Sequence, residues 1–162
     1  MTNLMILEAQ KFINTTYNRG VAIGTSAVIE DGNSSWETMF ALTRALQHEL
    51  GITSLSDSFG PSTLSTLESK FPTINNTENI PINIIKIIQS GLHCKGYNGG
   101  KIDGIYSKEV QDSVLDIKED MGLSEIFPGS GIEAKIVKGL LNMDSYTLAP
   151  NGDLSIRQVE QW

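Results

Sequence analysis

Apolar side chains recur at steps of three and four along two stretches of the chain, Met39, Leu42, Leu46 and Leu50, then Val110, Val114, Ile117 and Met121. That spacing gathers them on one face of an α-helix, so both stretches predict amphipathic helices. Further helices are predicted over Leu4 to Asn14 and over Asn83 to Leu92. In the latter Ile85, Ile88 and Leu92 mark one face, Pro81 stands near the start and Gly96 lies just beyond the end. A last helix in each half follows a Gly-rich turn: Leu64 to Lys70, capped by Ser62 or Thr63, and Ile132 to Leu141. Each half therefore reads helix, loop, helix, turn, helix.

The two halves repeat one another. Asp31-Gly32, Gly51-Ile52 and Gly60 in the first answer to Asp103-Gly104, Gly122-Leu123 and Gly131 in the second, at a separation that is constant to within a single position. Ahead of the Asp-Gly pair the first half is longer, and the extra residues fall around Asn18 to Glu30. The polar stretch Phe71 to Pro81, bounded by prolines, predicts a connector. The expected organisation is a divergent first unit over 1–71, a linker over 72–82, a second unit over 83–146, and a linker with the start of another helix or domain over 147–162. That last stretch, ending in the pattern Leu154 to Trp162, predicts that the chain is the N-terminal part of a longer protein.

Composition narrows the partners. With 40% hydrophobic and 19% charged residues the chain can bury a core, and no apolar stretch approaches the roughly 20 residues of a membrane span. The start of the chain lacks the basic region and apolar run of a secretory signal peptide. A formal charge of −7 disfavours nucleic acid, whose affinity is carried by Lys and Arg, and disfavours anionic membranes. A sugar polymer, or a peptide bearing amines, remains compatible. Cys94 is the one cysteine, so no intrachain disulfide forms, and a small buried side chain is the expected role.

The second half reads Ile88-Gln89, then Gly96-Tyr97-Asn98-Gly99-Gly100-Lys101-Ile102-Asp103-Gly104-Ile105-Tyr106, then Val110, Val114, Ile117 and Gly122-Leu123. Over about residues 84 to 141 this resembles the peptidoglycan-binding domain found beside the catalytic domains of many bacterial wall hydrolases. That family has a Leu-Gln helix, a Gly-Tyr loop leading to Ile-Asp-Gly, an aliphatic helix and a Gly-Leu turn. The first half is similar more loosely, through Ala9-Gln10, Asp31-Gly32, Ala45-Leu46-Gln47, Gly51-Ile52 and Phe59-Gly60-Pro61. Ile117-Lys118 stands where the family often has Phe-Gln. The resemblance implies an all-α fold of two tandem three-helix units, located outside the cell or in its wall. It implies non-catalytic binding of peptidoglycan, through glycan or stem peptide, beside a downstream catalytic domain, with no cofactor and no metal.

Candidate ligand residues lie in the two Asp-Gly loops: Tyr97, Asn98, Asp103 and Tyr106 in the second, Asp31 and Trp36 in the first. Tyr97, Tyr106 and Trp36 are candidates because an aromatic face can stack on a sugar at a groove rim, although aromatics in such loops also close cores. An Asp before Gly bonds backbone amides in an Asx-type turn, which makes Asp103 foremost a loop staple.

Other chemistries fit less well. Zinc catalysis needs three protein ligands, and His48, His93 and Cys94 lack the required spacing. A muramidase needs two carboxyl groups in contrasting surroundings, and nothing in the sequence pairs Glu8, Glu37 or Glu49. An EF-hand register over Asn98 to Val110 puts Lys101 and Val110 at ligand positions, where calcium would require acids. Asp112, Asp116, Glu119 and Asp120 are read as the solvated face of a helix. The alternative to wall binding is a structural or protein-interaction module with the same fold and no sugar binding.

Overall fold

The computed structural model describes residues 3–141, so the expected further helix or domain over 147–162 lies outside the described residues. The chain is mostly helical. The element order is α1 (Leu4–Thr16), α2 (Trp36–Glu49), α3 (Pro61–Lys70), β1 (Thr73–Ile74), α4 (Ile82–Cys94), α5 (Lys108–Asp120), β2 (Ile132–Glu133) and α6 (Ala134–Leu141). Each helix predicted from apolar spacing is present, and its marked face is the buried one: Met39, Leu42, Leu46 and Leu50 in the first half, Val110, Val114, Ile117 and Met121 in the second.

Helix ends follow the local chemistry. Asn3 caps α1 by accepting from the Met5 and Ile6 amides, while Ser35 and Ser107, which correspond in the repeat, accept from the Thr38 and Val110 amides. The exits of α2 and α5 match as well. The Ile52 amide donates to the Gln47 carbonyl at 3.0 Å and the Leu123 amide to the Lys118 carbonyl at 2.8 Å, around glycines 51 and 122 at positive φ. Two helix starts differ from expectation. α6 begins at Ala134, because Ile132 and Glu133 are taken up in β2, and α3 begins at Pro61, whose ring presets φ for a first helical residue, which leaves Thr63 free to serve another partner.

α4 packs against both α1 and α2, and α6 against α2, α3 and α4. Residues of both halves, such as Ile13, Leu42 and Leu46 with Ile84, Ile88 and Leu140, thus form one buried apolar cluster. A polar tie reinforces the join: the Asn83 amide donates at 3.0 Å to the Glu49 carboxylate oxygen that also accepts from the Tyr17 hydroxyl at 2.8 Å. The stretch expected as linker takes part in the fold. Its β1 pairs antiparallel with β2, Thr73 opposite Glu133 and Ile74 opposite Ile132, and Ile74 is buried.

The longer loop of the first half is tied to α1. It runs through a 3-10 segment, Asn18–Ile23, with left-handed backbone at Asn18, Arg19 and Gly20, then extends past Val28. The Asn14 side chain clamps it, donating to the Val28 carbonyl and to Glu30, both at 2.8 Å, and accepting from the Val28 amide at 2.9 Å. Arg44 holds the other side through the Ile23 carbonyl at 3.2 Å and Asp57 at 2.6 Å.

Gly104 shows how tightly the shorter loop seats on its helix. Its φ is +79°, and a Cβ there would fall 2.0 Å from Cγ1 of Ile82. Gly104→Ala is expected to cost about 2 kcal/mol, part strain and part displacement of Ile82, read as a lowered melting temperature.

Candidate functional site

The two Asp-Gly loops are each fastened by one buried glutamine. In the second half the Gln89 side-chain amide donates to Asp103 Oδ1 at 3.2 Å and to the Ile105 carbonyl at 2.9 Å, and its oxygen accepts from the Gly104 amide at 3.0 Å. In the first half Gln10 donates to Asp31 Oδ1 at 3.1 Å and to the Asn33 carbonyl at 2.9 Å, and accepts from the Asp31 and Gly32 amides at 3.0 and 2.8 Å. A glutamine side chain offers both a donor pair and an acceptor at this reach, which suits it to clip a loop. Both aspartates also accept from the amide two positions on, Asn33 or Ile105, at 3.0 Å.

These bonds set the carboxylates' titration. Asp31 is held below the ordinary carboxylate range by the Asn33 amide first and by Gln10 second. For Asp103 partial burial pushes upward, but the Ile105 amide, the Gln89 amide and the nearby Lys101 outweigh it and leave the group lowered. The stability such a group supplies is present above its unfolded value, near pH 4, and is lost as pH falls through the lower folded value. An acid series of melting temperatures is therefore expected to fall more steeply for the parent chain than for Asp103→Asn.

The loop between Gly96 and Asp103 is held at further points. The His93 ring Nε2–H donates to the Gly100 carbonyl at 2.7 Å, since a carbonyl can only accept. Asn98 Oδ1 accepts from the Gly100 amide at 2.9 Å, and the Ser113 hydroxyl donates to the Asn98 carbonyl. His93 stands one helical turn after Gln89 as Asn14 does after Gln10, so the two side chains do the same work on loops of different length.

The aromatic candidates separate. Tyr106 is corrected from a rim residue to a core residue: it is 5% exposed, its hydroxyl donates to the Ser130 carbonyl at 2.6 Å, and burial raises its pKa. No face remains for a ligand. Tyr97 is half-buried and its hydroxyl donates to Asp120, which draws one acid of the expected solvated face into the loop. Trp36, at 47% exposure, lies against Phe40 with centroids 5.7 Å apart and keeps a stacking surface. Tyr97 and Tyr106 thus point to different partners. Cys94 is half-buried, and burial pushes its thiol up to about 11 against the opposing effects of Ser34 and Lys95.

One further loop-fastening residue lies outside the candidate ligand residues. Gln47 is buried at the end of α2 and donates to the Ser58 carbonyl and the Thr63 hydroxyl, both at 3.1 Å, while accepting from the Ser56 amide at 2.8 Å. Its counterpart in the second half is Lys118, whose ammonium donates to the Gly129 and Gly131 carbonyls at 2.9 and 2.6 Å and pairs with Glu133 at 2.8 Å. The signal was available in the repeat offset, which aligns Gln47 with Lys118 as it aligns Gly51 with Gly122.

The chain has two relatives in Bacillus subtilis (strain 168). The chain is 42% identical over 158 residues to FadG, an uncharacterized protein of Bacillus subtilis (strain 168), an overlap covering 98% of this chain and 27% of FadG. It is 34% identical over 164 residues to YbfG, an uncharacterized protein of the same organism, covering 99% of this chain and 21% of YbfG. The chain thus spans about a quarter of the length of the curated relatives it matches. No family model matches it. No solved structure matches it either.

Proposed function

We propose that this chain is a non-catalytic module that binds bacterial peptidoglycan, made of two tandem three-helix units that resemble the peptidoglycan-binding domain. Its role is to hold a wall hydrolase, carried elsewhere in a longer protein, against an insoluble substrate outside the cell. Tethering raises the local concentration of substrate around an attached enzyme without chemistry in the module.

The observation that carries this reading is the paired glutamine clip. The residues on which the resemblance rests, Gln89 with Asp103-Gly104 and Gln10 with Asp31-Gly32, are joined by matching hydrogen bonds in both halves. Their shared role supports a duplicated unit. The negative charge disfavours a polyanion such as nucleic acid. The test is incubation of the purified chain with insoluble peptidoglycan. The chain is expected in the pellet with no sugar or peptide released, and clearing of the wall by this chain alone would overturn the non-catalytic role.

Exposed apolar side chains of the first half, Val21, Ile29 and the partly exposed Trp36, favour a second reading as a protein-interaction module. That reading expects no retention by the wall.

A further inference from the structure

Gly60 and Gly131 occupy matched places of the repeat, in the turns that lead into α3 and β2. Their surroundings differ. A Cβ on Gly131 would meet Thr73 Cγ2 at 2.8 Å and Asn75 Cβ at 3.0 Å, because β1 is laid against that turn. The Ala134 amide donates to the Pro72 carbonyl at 3.2 Å, and Lys118 and Glu133 fill the space beneath. At Gly60 a Cβ would meet nothing within 4 Å. The second half thus has its own extended chain seated on this turn, while the first half leaves the same place open.

What lies open is a groove of about 550 Å³ between the end of α2 and the start of α3. This is within the size range of small-molecule sites. Its polar wall is made of hydroxyls: Thr53, Ser54, Ser56, Ser58, Ser62 and Thr63, with Ile52 and Pro61 supplying apolar surface. The Gln47 side chain is fully engaged in shaping the floor through its three hydrogen bonds. No side chain caps α3, so its first-turn amides remain donors at the groove's edge.

Resting on the wall-binding reading above, we propose that peptidoglycan is held by the first half alone, in this groove, and that the bound part is the N-acetylated glycan strand. None of the lining side chains is ionisable. Stem peptides carry carboxylates and amines, which a site recognises with opposite charges. Sugar hydroxyls and acetamido groups pair instead with Ser, Thr and backbone groups, and an acetamido methyl finds Ile52 or Pro61. An ammonium stands at the end of the groove, Lys70 Nζ lying 3.7 Å from where a Cβ on Gly51 would be. The loop of the second half that most resembles the known family is then scaffold, and the binding surface belongs to the more divergent half.

Two matched variants test this. Thr53→Tyr places a ring in the groove, and Ser124→Tyr places the same ring at the corresponding point of the second half; both positions are exposed. The full chain is sedimented with insoluble peptidoglycan, alone and in competition with the soluble glycan strands that an amidase frees of stem peptides. The parent chain is expected to pellet with the wall and to be displaced by the strands, at about 0.5 M salt as well, since screening weakens charge pairs, including repulsion by the carboxylates the amidase frees, and not neutral contacts. Thr53→Tyr is expected to weaken binding by about tenfold or more, a loss near 1.4 kcal/mol, and Ser124→Tyr to leave it unchanged. The milder Ser54→Ala/Ser62→Ala pair, checked to melt as the parent does, is expected to weaken binding several-fold. Equal binding by Thr53→Tyr and the parent would overturn the groove and leave wall binding standing. Wall binding that the strands do not displace at about 0.5 M salt would overturn the glycan as ligand. A parent chain that does not pellet with the wall removes the wall-binding reading itself, and the groove with it.

Discussion

Glu133→Leu is expected to lower stability by about 3 kcal/mol, the low end for breaking a buried ion pair, because Glu133 keeps some contact with water. Lys118 is 1% exposed, and its ammonium would retain only the Gly129 and Gly131 carbonyls as partners. In a chain of this size that loss lowers the melting temperature by roughly 10 °C. Adding Lys118→Met removes the stranded charge, and the double variant is expected to regain at least about 1 kcal/mol over Glu133→Leu alone. Simple additivity of the two single losses would show that the pair is not coupled across the turn.

Gln89→Leu is expected to cost about as much, about 3 kcal/mol, by a different route. The leucine keeps the volume but leaves the buried Gly104 amide without its acceptor and the Ile105 carbonyl without its donor. Amide exchange should quicken first at Gly104 and Ile105, before any change at Val114 or Leu140 in the core. Gln10→Leu is expected to behave alike, with Asp31 and Gly32 exchanging faster. Unequal responses, with one loop intact after loss of its glutamine, would argue that the two clips are not equivalent.

The helices were legible because each repeats its apolar side chains at helical spacing over at least two turns. The pairing of halves was legible through glycines that mark helix exits, where a left-handed backbone is needed. What stayed hidden has physical causes. β1 is two residues long, too short to show an alternating pattern, and its buried member Ile74 sits in a stretch that is otherwise polar. Lys118 follows Val114 by one helical turn and so lies on the buried face, but a lysine there reads as polar until its partner Glu133 is placed beside it. Tyr106 is an aromatic in a glycine-rich loop, and whether such a ring faces inward depends on what covers it. Here Thr77 and Ser130, distant in sequence, bond its amide and its hydroxyl.

Both Asp-Gly loops are fastened structural units, and of their candidate ligand residues Tyr106 is buried while Trp36 keeps an exposed face. Asp31 and Asp103 spend acceptor capacity on their own loops, as the Asx pattern foretold. The groove at Thr53 to Thr63 drew no attention in the sequence because a run of Ser and Gly reads as an ordinary turn. Only the comparison of Gly60 with Gly131 shows that one turn is covered and its counterpart open.

The central claim is met most directly by measuring the fraction of the purified chain that sediments with insoluble peptidoglycan against a cellulose control of equal mass. Saturable retention by the wall and none by cellulose is the predicted result. Retention no greater than on cellulose, across pH and salt, would contradict it.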